Sequence, residues 1–244
     1  MAVLASGCDF LFRIDEISIT DGGPVDTPVG SGNPTFEAAG WTAHPGNGTL
    51  YTTIPVLLDA PIERNALVVV ALCNYPSAAS IDVSDSVTSV YTHAASADGV
   101  VAQPALVATL YYAIAPMSTD ALEVDVTFGA PGVESPDVRV AAFTNVAQLA
   151  PLEMATSNSM ASVDTLEASV TINAVPTLLV AATCVGAQTT VIDGFQIRAF
   201  SAPNGDALAD APSDSVSDEI AVAHQSGPDG MIVQLAAFRG IQAR

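Results

Sequence analysis

The residues able to do chemistry are few and scattered. His44, His93 and His224 stand far apart and in no metal-ligand spacing, so each reads as a surface or strand residue. The chain has no His-x-x-x-His pair, no Cys-x-x-Cys and no Gly-x-Ser-x-Gly elbow. Gly30-Ser31-Gly32 lacks the lysine and the helix of a phosphate loop. A hydrolase needs a positioned acid, base and nucleophile. Ser and Asp are abundant, but nothing in their order singles out a triad. The expectation is a protein that is not an enzyme.

Carboxylates supply the one suggestive cluster. Asp206, Asp210, Asp214 and Asp218 recur every four residues in a segment that reads as a polar loop, and Asp82 and Asp85 flank a turn. Calcium takes several oxygens from one loop, so Asp206, Asp210 and Asp214 are the candidate ligands of a structural calcium ion. A solvated acidic loop is the competing reading, and no other cofactor is expected. Trp41, Tyr51 and Tyr91 are candidates for stacking on a glycan. Against that, aromatic side chains commonly pack in cores or at strand edges.

Three cysteines do not make a disulfide scaffold. Cys73 and Cys184 each end an apolar strand and read as small buried hydrophobes, with a disulfide between them as the lesser alternative. Cys8 follows Leu4-Ala5-Ser6-Gly7, too short a stretch to be a lipoprotein leader. No secretion signal is read, and synthesis in a cytoplasm is expected.

The charge balance narrows the partners. There are 26 acids against 6 bases, a formal net charge of −20, with every base an arginine and no lysine. Such a chain repels phosphate backbones and anionic lipid surfaces, which argues against nucleic-acid binding and membrane association. No apolar run approaches the ~20 residues that span a bilayer.

Positioning falls to β-strands. Residues 1–20 are mildly apolar, and 21–33 are rich in Gly, Pro, Asp and Ser, so 1–33 reads as an arm and linker ahead of a sandwich domain over 34–244. Residues 122–128 alternate cleanly, as do 166–172, while 66–73 and 177–184 are continuous apolar runs, as for strands covered on both faces. Residues 106–115 also fit a helical stripe, but the prolines at 104 and 116 limit their length and favour a strand. A faint echo links 65–73 with 177–184; it fits two halves of a sandwich, each giving one central strand, or convergence on a buried-strand composition.

The order of these segments resembles a jelly-roll, concanavalin-like β-sandwich of bacterial surface proteins and phage virion proteins. The matching stretches are the central strand 65–73, the Asp-Ser turn and Val-x-Tyr-Thr strand in 81–92, and Leu-Tyr-Tyr-Ala-Ile-Ala-Pro at 110–116. They continue through 122–128, 138–151, 177–184 and the closing Ala237-Phe238-Arg239, covering about 35–240. The resemblance implies an all-β antiparallel sandwich acting by assembly. A structural virion protein of a tailed phage is expected: a head decoration, fibre or tail component, homo-oligomeric and attached to other virion proteins through residues 1–20. The alternative is a carbohydrate-binding or adhesion module at a bacterial cell surface.

Overall fold

The computed structural model describes residues 32–44, 46–73, 80–94, 99–102, 105–202 and 205–241. The expected arm 1–20, with all of the linker but residues 32–33, lies outside the described residues.

Among the described residues there are fifteen strands and no helix. The first nine are β1 (Thr35–Ala43), β2 (Thr53–Leu57), β3 (Leu67–Cys73), β4 (Ile81–Asp85), β5 (Thr92–His93), β6 (Gly99–Ala102), β7 (Ala105–Ile114), β8 (Glu123–Phe128) and β9 (Asp137–Thr144). The other six are β10 (Leu152–Thr171), β11 (Thr177–Val185), β12 (Thr189–Ile192), β13 (Gln196–Phe200), β14 (Ala207–Ser213) and β15 (Asp218–Arg239). The segment with the helical stripe is strand β7, paired with β3 from Cys73–Ala108 to Leu67–Ile114.

The chain is an antiparallel β-sandwich built twice. In the first half a sheet ordered β1-β9-β3-β7-β5, with β6 added to β7, faces a smaller sheet ordered β2-β8-β4. First strand thus pairs with last (β1 with β9), second with second-last (β2 with β8), and third with the next one in (β3 with β7). The strands pair from the outside inward, as in one long hairpin folded back on itself. In the second half the order β10-β15-β11-β14-β13 repeats the scheme. Here β10 and β15 are 20 and 22 residues long and each serves both sheets. Residues 152–160 pair with 231–238; after bulges at Met160/Val163 and Val163/Thr165, residues 165–171 pair with 218–224. The bulges bend the ribbon, and it folds back over its own sheet with β12 beside it. The folded layer is ordered β10-β15-β12, the counterpart of β2-β8-β4.

Four layers therefore enclose three cores. Val56, Val70 and Val124 belong to the first, Leu67, Val69, Leu110 and Phe143 meet Leu178, Val180, Leu208 and Phe238 in the second, and Leu179 and Leu235 meet Leu166 and Ile172 in the third. The middle core explains the continuous apolar runs. Strands of an ordinary two-layer sandwich alternate, because one face meets water. β3 and β11 are buried at every residue because each large sheet is covered on both sides. The echo between them is positional as well: Leu67 pairs with Phe143 as Leu178 pairs with Phe238.

Candidate functional site

The two central strands are joined covalently. Cys73 and Cys184 form a disulfide, with Cα atoms 5.6 Å apart, so the lesser alternative from the sequence is the one found. The bond closes a loop of 111 residues and ties one half to the other across the middle core. Cys73 is the last residue of β3, and Cys184 lies one residue from the end of β11.

Beside the disulfide lie three charged groups that are almost wholly shut off from water: Asp137, Arg139 and Asp206. Asp137 is the ladder partner of Cys73, and Arg139 that of Ala71. Asp206 immediately precedes β14, two residues from Leu208, which pairs with Ala182, and so sits next to Cys184. Arg139 crosses the interface: its Nη1 donates to the carbonyls of Thr183 (2.6 Å) and Ala207 (2.7 Å) in the second half. Its Nε lies 3.0 Å from Asp137 Oδ1, close as an ion pair but poorly aligned as a hydrogen bond. Asp206 Oδ1 accepts the backbone N–H of Val185 at 2.7 Å, and its Oδ2 is buried with no hydrogen-bond partner. Burial lifts the Asp206 carboxyl well above the usual carboxylate range; Arg139 pulls it down, while Asp137 pushes it further up. Two equally buried acids share one buried base, and it is the Asp206 carboxyl that is raised.

The duplicated fold shows how lopsided this arrangement is. The counterparts of Asp137, Arg139 and Asp206 are Ile232, Gln234 and Ala108, because Ile232 pairs with Cys184, Gln234 with Ala182, and Ala108 with Cys73. Gln234 also reaches across, donating from Nε2 to the Ala108 carbonyl at 3.1 Å. One side of the disulfide is therefore charged, and the other, with Ala108 and Ile232 packed on the two cysteines, is apolar.

Asp206, Asp210, Asp214 and Asp218 do not form a polar loop. Asp210 lies inside β14, flanked on both sides by buried alanines, and only Asp214 stands in the connection between β14 and β15. A spacing of four puts strand residues on one face, but about 13 Å apart at ~3.3 Å per residue, too far to share an ion. Each has its own partner: Asp210 pairs with Arg198, Asp214 accepts from Asn33 Nδ2 at 3.3 Å, and Asp218 accepts from Thr171 Oγ1 at 2.7 Å. Burial raises the Asp210 carboxyl, and the Arg198 guanidinium, which also lies 4.2 Å above the Phe36 ring, opposes the rise.

The aromatic candidates likewise part company. Trp41 is exposed on β1, and Tyr51 stacks on His44 with ring centroids 3.9 Å apart. Tyr91 packs against the first core and donates its hydroxyl to Asp85 Oδ2 at 3.0 Å. Burial, then Asp85, push its phenol far up, so it remains a donor. Asp85 itself accepts the N–H groups of Val87 and Ser89, both at 3.0 Å, so it holds a turn together.

Two arrangements escaped the sequence reading. His224 Nε2 lies 3.1 Å from Asp193 Oδ2 and its Nδ1 lies 3.1 Å from Thr165 Oγ1, a hydroxyl–imidazole–carboxylate line. Its carboxylate and imidazole are 60% and 33% exposed, so water weakens the electrostatics that such a line needs for catalysis. No local spacing could reveal it, since it joins β10, β15 and the turn after β12. Arg139 did leave a signal. In Val138-Arg139-Val140-Ala141-Ala142-Phe143 both alternating faces are apolar apart from Arg139, so on a doubly covered strand that arginine must point inward.

The chain matches no protein-family model and no curated protein sequence.

Proposed function

We propose that this protein is a non-enzymatic structural component acting by assembly, in line with the expected virion role. One observation carries the reading: the long edge of β10. Among the described residues β10 ladder-pairs only with β15, so its other edge carries no ladder there, although β6 lies close by and Ser157 has a bonding partner of its own. Between Met154 and Met160 the ladder to β15 is regular, and the sequence Met-Ala-Thr-Ser-Asn-Ser-Met carries no charge and no proline. Edges of monomeric sheets are usually guarded by lysine, proline or bulges; this stretch has no lysine or proline, and its bulges lie only at its two ends. Met154 and Met160 project as exposed apolar side chains from an otherwise acidic protein. An edge of this kind is a template for strand addition by a neighbouring subunit. The stacked, disulfide-clamped halves supply a rigid block behind it. In a virion, residues 1–20 would attach that block to the next protein in the particle.

The test is sedimentation of the full chain and of a chain lacking residues 1–20, alone and with purified particles from the source. Discrete oligomers and particle binding that disappears on truncation support the reading. A monomer at all concentrations that also ignores particles, or turnover of a polysaccharide by the purified protein, would overturn it.

A further inference from the structure

We propose that when the Cys73–Cys184 bond is reduced, the chain holds one zinc-like divalent cation between Cys73, Cys184 and Asp206. The geometry is in place. One ligand atom from each of the three residues lies within 4.8 Å of the other two, and all three residues are buried. Zn–S bonds of ~2.3 Å at a tetrahedral angle require sulfurs about 3.8 Å apart. With Cα atoms 5.6 Å apart, side-chain rotation can open the two sulfurs to that distance without moving β3 or β11.

Asp206 points independently to a ligand. Its Oδ1 is fixed by the Val185 N–H, while its Oδ2 is fully buried, accepts no hydrogen bond and has the Asp137 carboxyl as its polar neighbour. A carboxylate oriented through one oxygen and unsatisfied at the other is how a metal-binding carboxylate is held by its surroundings. Asp137 stays with Arg139, whose Nε lies 3.0 Å from its Oδ1, and falls outside the three-residue set, which leaves the fourth position of a tetrahedral shell open.

The charge balance is compatible with the same site. Reduction by an external thiol or phosphine adds two electrons and two protons and yields two thiols. The dication displaces both thiol protons, together with any proton on Asp206. Two thiolates, two carboxylates, the Arg139 guanidinium and the ion then sum to a single negative charge. The metal-free dithiol is neutral with Asp206 protonated, so loading the ion changes the cluster by a single charge. Two thiolates select zinc or cobalt over calcium or magnesium. Ala108 and Ile232 pack on the far side of the sulfurs, where the Val107 carbonyl lies 3.9 Å from Cys184 Sγ.

The experiment refolds the full-length chain from denaturant under anaerobic phosphine reductant, with and without Co²⁺. The expected result is a thiolate-to-cobalt charge-transfer band that saturates at one ion per chain and is bleached by Zn²⁺. Cys184→Ser should abolish it and Cys8→Ser should leave it unchanged. Asp206→Asn should weaken binding on the order of 10–100-fold or more. That variant keeps both cysteines, so its folding is checked in the oxidised form. Reduced wild type that folds only with metal also supports the site. Reduced chain that shows strand circular dichroism but no cobalt band, that fails to fold with or without metal, or whose band depends on Cys8, overturns it.

Discussion

The two halves share strand order, register and the place of their central strands, yet they meet the shared interface with opposite chemistry. At one ladder position the first half offers Arg139 and the second Gln234. Both reach across to a backbone carbonyl of the other half. The glutamine is neutral and needs nothing more. The arginine carries a charge into a dry layer and brings Asp137 and Asp206 with it. A duplicated scaffold thus tolerates a buried charge where a counterion stands beside it, here Asp137 on the same strand, and its twin position shows what the same backbone does without one. The disulfide lies between the charged and apolar sides and is the hinge of the comparison.

Breaking that hinge has the largest expected effect. By chain entropy, a closed loop of about 100 residues is worth ~4.7 kcal/mol. Cys73→Ser with Cys184→Ser, in the presence of chelator, should lower the unfolding free energy on that order. Urea unfolding with and without reductant measures it, and reductant should leave the double variant unchanged.

Next comes the arginine against its twin. Arg139→Met strands two buried acids and should cost about 3–5 kcal/mol. Gln234→Met removes one neutral hydrogen bond, that to the Ala108 carbonyl, and should cost about 0.5–1.5 kcal/mol. Equal losses from the two would show that the charge asymmetry has no energetic content. Restoring neutrality sharpens the point, because Arg139→Met combined with Asp137→Asn and Asp206→Asn should recover much of the deficit.

How much of this was legible beforehand depends on the range of the forces involved. The fold class was, because alternation in 122–128 and 166–172 and the doubly buried runs of β3 and β11 are local signals. The strand character of β7 was legible from its flanking prolines. The second sandwich was not. Its outer layer is made by β10 and β15 bending over, and a bulge leaves little trace in hydrophobic periodicity. The spacing of Asp206, Asp210 and Asp214 misled, because a four-residue period in an Ala/Asp/Pro-rich segment looks like a loop. In a strand enclosed by two layers the alanines are simply small core residues and the aspartates need arginines. The partners that decide this, Arg139 and Arg198, lie 67 and 12 residues from Asp206 and Asp210, so pairing depends on sheet stacking that local sequence does not encode.

Asp210 offers a milder comparison with the disulfide cluster, since it too is a buried acid beside one arginine but keeps that arginine to itself. Its carboxyl is raised in the fold, chiefly by burial. A folded value above the unfolded one means that the fold takes up a proton there. The contribution of Asp210 is then greatest below the ordinary Asp value of about 3.9. It shrinks as pH rises through the raised folded value. Asp210→Asn is the flat reference. The stability difference, wild type minus variant, should fall as pH climbs from about 4 and level off above the folded value. A difference that grows with pH would mean that Arg198 wins over burial.

The smallest effect on stability, and the most informative for function, is expected at the β10 edge. Met154→Lys and Met160→Lys replace exposed side chains that belong to neither the second nor the third core, so each should stay within about 0.5 kcal/mol of wild type. Lysines on an edge strand oppose pairing with another strand, both by charge and by the cost of desolvating the ammonium. In a chain of net charge −20 they also lower the general repulsion between copies, so electrostatics alone would promote association. The two effects have opposite signs. Analytical ultracentrifugation of the double variant at moderate salt therefore separates them. Weaker self-association despite the lower net charge identifies β10 as the contacting edge. Stronger association would mean that copies meet elsewhere and are held apart chiefly by their carboxylates.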